Sequence, residues 1–150
     1  MDERGSVKPG RRQPRVMIVD DDAEMRALLS DALEREGFRV REHGAGDQLI
    51  ALVAEFLPDA VVLDKELVSA NGLDLLRDIR RSHPGLPVVS VTAFGGSQVQ
   101  AEALRLGASR YMDKPFRVSR LIEVLWEVVG QRRRKSELAG RVRGTDGGLA

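Results

Sequence analysis

The chain has 150 residues, a formal net charge of +1, and 42% hydrophobic and 31% charged residues. That is the composition of one ordinary globular domain, and the near-neutral balance argues neither for nor against an anionic partner. The absence of cysteine excludes disulfide scaffolds, thiolate zinc sites and cysteine nucleophiles, and no apolar run approaches the ~20 residues of a membrane span.

The first residues, MDERGSVKPGRRQPR, carry charge but no apolar stretch of a secretory signal. Residues 1–14 read as a disordered basic arm, better explained as a solvated tail than as a nucleic-acid contact. RVMIV then reads as a short buried strand, and it runs straight into Asp20, Asp21 and Asp22. Two carboxylates about 4 Å apart repel by roughly 4 kcal/mol at an effective dielectric of 20. Solvent, a proton or a cation must offset that.

The segment AEMRALLSDALEREG is helical, with Met25, Leu28, Leu29, Ala32 and Leu33 on one face and Gly37 at its C-terminal cap. FRVREH alternates like a strand with one wetter face. GDQLIALVAEFLP is helical and ends at Pro58. DAVVLD is a second buried strand, ending in Asp64. NGLDLLRDIRRSHPG opens on an Asn71-Gly72 turn signal and is helical through Ile79. LPVVSVTAF is a strand, SQVQAEALRLGA a helix capped by Ser97 and Gly107, and SRYMDKPF the fifth strand. RVSRLIEVLWEVVGQRRRK is the last helix. SELAGRVRGTDGGLA loses apolar periodicity, so residues 131–150 read as a loose, basic, Gly-rich tail or linker.

Five strands alternating with five helices predict an α/β fold, one five-stranded parallel sheet doubly wound by helices on both faces. Sites in such sheets form beyond the carboxyl ends of the strands, at a topological switch point. Asp20, Asp21, Asp22, then Asp64, then Thr92, then Lys114-Pro115 stand at those ends. The ligands are oxygens, so the site favours Mg²⁺ or Mn²⁺ over zinc. His43 and His83 share no metal-ligand spacing and are expected at the surface. Asp64, alone on the central strand, is the natural nucleophile, since a carboxylate can accept a phosphoryl group. Phosphoryl transfer asks mainly for positioning and charge neutralisation, which the cation, Lys114 and Thr92 can supply. Each residue has a plainer alternative: one aspartate as a helix N-cap, Thr92 as a strand residue, Lys114 as a solvated lysine. The weight lies in their coincidence at strand ends.

VDDDAEMR, VVLD, SVTA and YMDKPF together resemble the receiver domain of two-component response regulators, in order and separation, over residues 15–130. The resemblance implies the flavodoxin-like receiver fold. It implies Asp64 as phosphoacceptor, Asp21 as a direct and Asp20 as a water-mediated metal ligand, and the Glu66 backbone carbonyl completing the metal site with Asp64. It further implies Thr92 as the switch hydroxyl, Tyr111 as the rotating aromatic, Lys114 as the phosphate-binding cation, and a cis Lys114–Pro115 bond. The implied partners are a histidine kinase or histidine phosphotransfer protein, a downstream protein effector and, on phosphorylation, a second copy of the chain, in a cytoplasmic setting.

The chain departs from that pattern in places. Leu67-Val68 replaces the usual Met-Pro, while Asn71-Gly72 keeps its distance from Asp64. Glu66 and Phe94 flank the path of an attacking water and are expected to tune the phosphoryl lifetime. About 20 residues follow Gly130, fewer than a usual domain. The expectation is a stand-alone receiver or a piece of a longer regulator, not a metabolic enzyme. Nucleic-acid binding by this chain alone is disfavoured, since cations near a helix C-terminus also serve its dipole. The alternatives are a Mg²⁺-dependent phosphohydrolase and the receiver part of a DNA-binding transcriptional regulator.

Overall fold

The computed structural model describes residues 12–146. Strands β1 (Arg15–Val19), β2 (Arg39–His43), β3 (Ala60–Asp64), β4 (Val88–Thr92) and β5 (Arg110–Asp113) alternate with helices α1 (Ala23–Arg35), α2 (Leu49–Phe56), α3 (Gly72–Ser82), α4 (Ser97–Arg105) and α5 (Val118–Asp146). The strands form one parallel sheet in the order β2-β1-β3-β4-β5. The doubly wound α/β expectation therefore holds. The chain passes from β1 to one side for β2 and returns to the other side for β3. That reversal places the switch point between β1 and β3, where Asp20 and Asp64 end their strands.

Successive strand side chains point to opposite faces, and the buried runs feed two cores. Val16, Ile18, Val62, Val89 and Val91 pack with Leu29 and Leu33 of α1 and Leu121, Leu125 and Val128 of α5. Met17, Val19, Val61, Leu63 and Val88 pack with Val53 of α2, Leu76 and Ile79 of α3 and Ala103 of α4. β3 and β4 are buried at every residue, as strands covered on both faces must be. Their rigid packing fixes where their last residues stand.

Four details differ from the sequence reading. Leu28 is 57% exposed, because the α1 stripe is centred on Leu29 and Leu33, one helical turn apart. Ser97 is the first residue of α4 and caps nothing; the N-cap is Gly96, at a φ of 130°. α3 runs on to Ser82. The largest correction is at the C-terminus, where α5 continues through Asp146 in place of a loose tail, while residues 147–150 of that expectation lie outside the described residues. Arg, Lys, Glu, Leu and Ala are good helix formers whether or not an apolar stripe accompanies them.

The base of the sheet anchors this extension. Arg132 donates to the Pro58 carbonyl at 3.0 Å and Arg133 to the Arg12 carbonyl at 3.0 Å. Buried Asp59 accepts from the Arg12 guanidinium and the Arg15 amide, each at 2.8 Å. The expected disordered arm is thus corrected for residues 12–14, and the rest of that expectation, for residues 1–11, lies outside the described residues. No helix among the described residues is long and apolar enough to cross a membrane.

Candidate functional site

The end of β1 turns sharply because its own aspartates cap the turn. Asp20 Oδ1 accepts from the Asp22 amide at 2.9 Å, and Asp22 caps α1 by accepting from the amides of Glu24 and Met25. Asp22 is therefore the N-cap aspartate. This leaves the carboxylates of Asp20 and Asp21 to face β3. Oxygens of Asp20, Asp21 and Asp64 lie within 4.8 Å of one another, the one such acidic or metal-ligating cluster among the described residues. Asp20 and Asp64 are both 3% exposed, and Asp21 is open to solvent. An all-oxygen set with two buried members and one wet one fits a hard, partly hydrated cation such as Mg²⁺. His43 and His83 stand outside this cluster: His43 Nε2 lies 2.9 Å from the Asp47 carbonyl and His83 Nδ1 3.1 Å from Ser82 Oγ.

Lys114 comes to the cluster from the end of β5. Its ammonium is 2.9 Å from Asp20 Oδ2 and 3.2 Å from Asp64 Oδ2. The Lys114 amide donates to the Thr92 carbonyl at 2.8 Å, and the Lys114–Pro115 bond is cis. Asp64 Oδ1 accepts from the Glu66 amide at 3.1 Å. Burial pushes the Asp64 carboxyl up to about 7, with Asp20 adding to the rise and the Glu66 amide and Lys114 opposing it. Burial alone would lower the Lys114 ammonium, but Asp20 and Asp64 outweigh it and raise it.

The loop after β3 is held from several sides. Val68 donates its amide to Asp21 Oδ2 at 3.1 Å, and Asn71 caps α3 by accepting from the Leu73 amide at 2.9 Å. Position 72 must be glycine: a Cβ there would collide with the Asp64 carbonyl oxygen and Lys65 Cα. So the Asn71-Gly72 signal has a cause beyond turn preference. It lets α3 start against the strand that carries Asp64.

Thr92 is fully buried at the end of β4. Its hydroxyl donates to Glu66 Oε1, which also accepts from the Phe94 amide at 3.2 Å. The Phe94 amide lies 3.0 Å from Thr92 Oγ1 as well. Burial would raise the Glu66 carboxyl, but the Thr92 hydroxyl, the Asp64 carboxyl and the Phe94 amide hold it below its ordinary value. The Phe94 ring itself is 74% exposed, so this residue meets the site through its backbone. Tyr111 packs part-buried on the α2–α3–α4 side and donates its hydroxyl to Asp113 Oδ1 at 2.7 Å. A Cβ at Gly95 would meet the Tyr111 hydroxyl and Asp113 Oδ1, so a side chain there would require the ends of both side chains to shift.

Asp20, Asp21, Asp64 and Lys114 thus meet in one place, with Thr92 beside them and Tyr111 further along the same edge. Sequence reasoning missed the Glu66 side chain as the partner of Thr92, having weighed only its carbonyl and its charge. It also missed Asp113 as the partner of Tyr111 and Arg26, whose guanidinium donates to the Asp20 carbonyl at 2.6 Å. Asp113 sat in plain view in YMDKPF, whereas nothing in the helical pattern marks Arg26.

Comparison with known proteins agrees with this geometry. The family model described as response regulator receiver domain matches residues 16–125. The chemotaxis protein CheY of Thermotoga maritima is 34% identical over 115 residues, covering 76% of this chain and 96% of that protein. The transcriptional regulatory protein CpxR of Klebsiella pneumoniae is 36% identical over 108 residues, covering 72% of this chain but 46% of CpxR. The crystal structure of NtrX from Brucella abortus in complex with ADP superposes with a TM-score of 0.79 at 32% identity, over 85% of this chain and 30% of that one. The chain therefore spans nearly all of one relative and less than half of others.

Proposed function

The chain belongs to the response regulator receiver domain family, and we propose on that premise that it is a phosphorylation-dependent switch with Asp64 as its phosphoacceptor. The observation that supports this most is the meeting of Asp20, Asp21 and Asp64 with the Lys114 ammonium at the switch point of the sheet. An Asp64 carboxylate oxygen attacks the phosphorus of a phosphohistidine on a histidine kinase or phosphotransfer protein. The new O–P bond forms as the N–P bond breaks, and the imidazole nitrogen leaves and takes a proton from solvent. Asp20, Asp21, Asp64 and the Glu66 carbonyl would hold Mg²⁺ or Mn²⁺, which supplies charge neutralisation for one phosphoryl oxygen. Lys114 takes a second oxygen and the Thr92 hydroxyl a third. Little more is needed, because such transfer rests on positioning and electrostatics.

Readout follows from what those contacts pull. Thr92 leaves its present partner for the phosphoryl group, and Tyr111 leaves Asp113 and turns inward. The face made by α4, β5 and α5 then repacks and meets a protein effector or a second copy. The phosphoryl group biases two packings of one domain. A turnover phosphohydrolase is the weaker reading, since the carboxylate next to Asp64, that of Glu66, is engaged by Thr92 and the Phe94 amide. Direct nucleic-acid binding is weaker too, because Arg12, Arg132 and Arg133 bind groups of this chain at its base. The cytoplasm, where such kinases present their phosphohistidines, is the setting we propose. Incubation with acetyl phosphate should add one phosphoryl group to the intact mass with Mg²⁺ present and none after chelation. Equal uptake with and without the cation would overturn the reading.

A further inference from the structure

Asp64 is registered with Val91 across the β3–β4 pair, so Thr92 stands one residue beyond it on the neighbouring strand. That places the buried Thr92 hydroxyl beside the site, yet it donates to another carboxylate. Glu66 Oε1 accepts both from this hydroxyl and from the Phe94 amide, and the amide also lies within reach of Thr92 Oγ1. One carboxylate oxygen therefore holds two donors of the β4 end. A phosphoryl oxygen is an anionic acceptor of the same kind and needs such donors.

The Glu66 backbone fixes its side chain for this role. Its amide is tied to Asp64 Oδ1 at 3.1 Å, and residue 66 bridges antiparallel to Asn71 within the loop. From that base the side chain spans from the end of β3 to the end of β4. Glu66 Oε2 is buried, and the Asp64 carboxyl is a further hydrogen-bonding neighbour of the Glu66 side chain.

We propose that Glu66 is a positioning residue whose carboxylate stands in for the phosphoryl oxygen before transfer, holding the Thr92 hydroxyl and the Phe94 amide until a phosphoryl group on Asp64 displaces it. The inference rests on Asp64 as phosphoacceptor. Phosphoryl transfer then includes an exchange of one acceptor for another at Thr92. No bond order changes at Glu66, and no proton is moved by it. Its charge also lies beside the site, so the hold must be separated from simple repulsion of an anionic donor. Aspartate at position 66 keeps the charge but is one methylene too short to reach Thr92.

The test is the rate of phosphoryl uptake from acetyl phosphate with Mg²⁺, followed by intact mass. The variants are Glu66→Asp and Glu66→Ala, each with Thr92 and with Thr92→Val. With Thr92 present, both Glu66 variants should take up the group about tenfold faster than the parent. With Thr92→Val, where there is no hydroxyl to hold, the same changes should alter the rate less than about twofold. The amide proton of Phe94 in the unphosphorylated protein should also move upfield in both Glu66 variants, as it loses a charged acceptor. A Glu66→Asp rate equal to the parent's, or an acceleration that persists in Thr92→Val, or an unmoved Phe94 amide would overturn the proposal. Uptake by the parent that is insensitive to Glu66 sinks this inference alone. Absence of uptake by the parent sinks the phosphoacceptor reading and the Glu66 role with it.

Discussion

The Lys114 ammonium bridges Asp20 Oδ2 and Asp64 Oδ2 at 2.9 and 3.2 Å, so one cation from the end of β5 joins the carboxyl ends of β1 and β3. The two carboxylates are nearly inaccessible, and their repulsion is offset in the metal-free protein by this ammonium. Removing one member of a buried charge group leaves the others uncompensated. Lys114→Met should lower metal-free stability at about pH 8 by on the order of 2 kcal/mol, discounted from the fully buried case because the lysine is part-exposed. Saturating Mg²⁺ should recover more stability in the variant than in the parent. Urea unfolding with chelator and with Mg²⁺ measures both. Unchanged metal-free stability would mean that the bridge contributes nothing.

Burial raises the Asp64 carboxyl from 3.8 to about 7, so the folded protein holds that proton more tightly than the unfolded chain. Without metal, the contribution of this group to stability is fully present below about pH 4 and is lost as pH rises through about 7. Asp64→Asn, which has no proton to release, should match the parent at about pH 4 and exceed it by on the order of 2 kcal/mol at about pH 8. Denaturant unfolding in chelator reads the difference at both pH values. A gain that does not grow with pH would contradict the assigned burial effect.

Asp21 and Asp22 are adjacent and do different work. Asp21 faces Asp20 and Asp64, while Asp22 caps α1. Asp21→Ala should weaken Mg²⁺ binding by about tenfold or more. Asp22→Ala should leave affinity within about twofold and cost about 1 kcal/mol of stability through the lost cap. Calorimetric titration is the suitable measurement, because Trp126 packs on Phe38, on the α1–α5 side of the sheet, and is a poor reporter. Equal loss of affinity in the two variants would place the metal register one residue off.

Alternation and strand-end chemistry made most of this molecule legible. VVLD and SVTA name buried strands and the groups at their ends, and parallel order then forces those groups to one edge. Side chains that cross between loops were not legible, because Glu66 and Thr92 are 26 residues apart and only the packed β3–β4 pair brings them together. The α5 extension was misread for a different reason. Apolar periodicity reports packing against a core, and residues beyond Gly130 hold their helix through propensity and through Arg132 and Arg133 at the base.

Phe94 is expected to tune the phosphoryl lifetime from beside the path of an attacking water, and its ring is 74% exposed while its amide is engaged at the site. An exposed ring can still exclude water, since ordering a water takes two to four polar partners and the ring offers none. Phe94→Ser should shorten the lifetime of the phosphorylated protein by a few-fold. Loss of phosphoryl label over time in the two proteins decides it. Equal or slower decay in Phe94→Ser would remove the ring from the account of lifetime.

The central claim is that one carboxylate, that of Asp64, takes the phosphoryl group. After incubation with acetyl phosphate and Mg²⁺, borohydride reduction and peptide mapping locate the modified residue. The account predicts label on the peptide that carries Asp64, and no uptake by Asp64→Asn. Label on Asp20 or Asp21 in the parent, or stoichiometric uptake by Asp64→Asn, would contradict it.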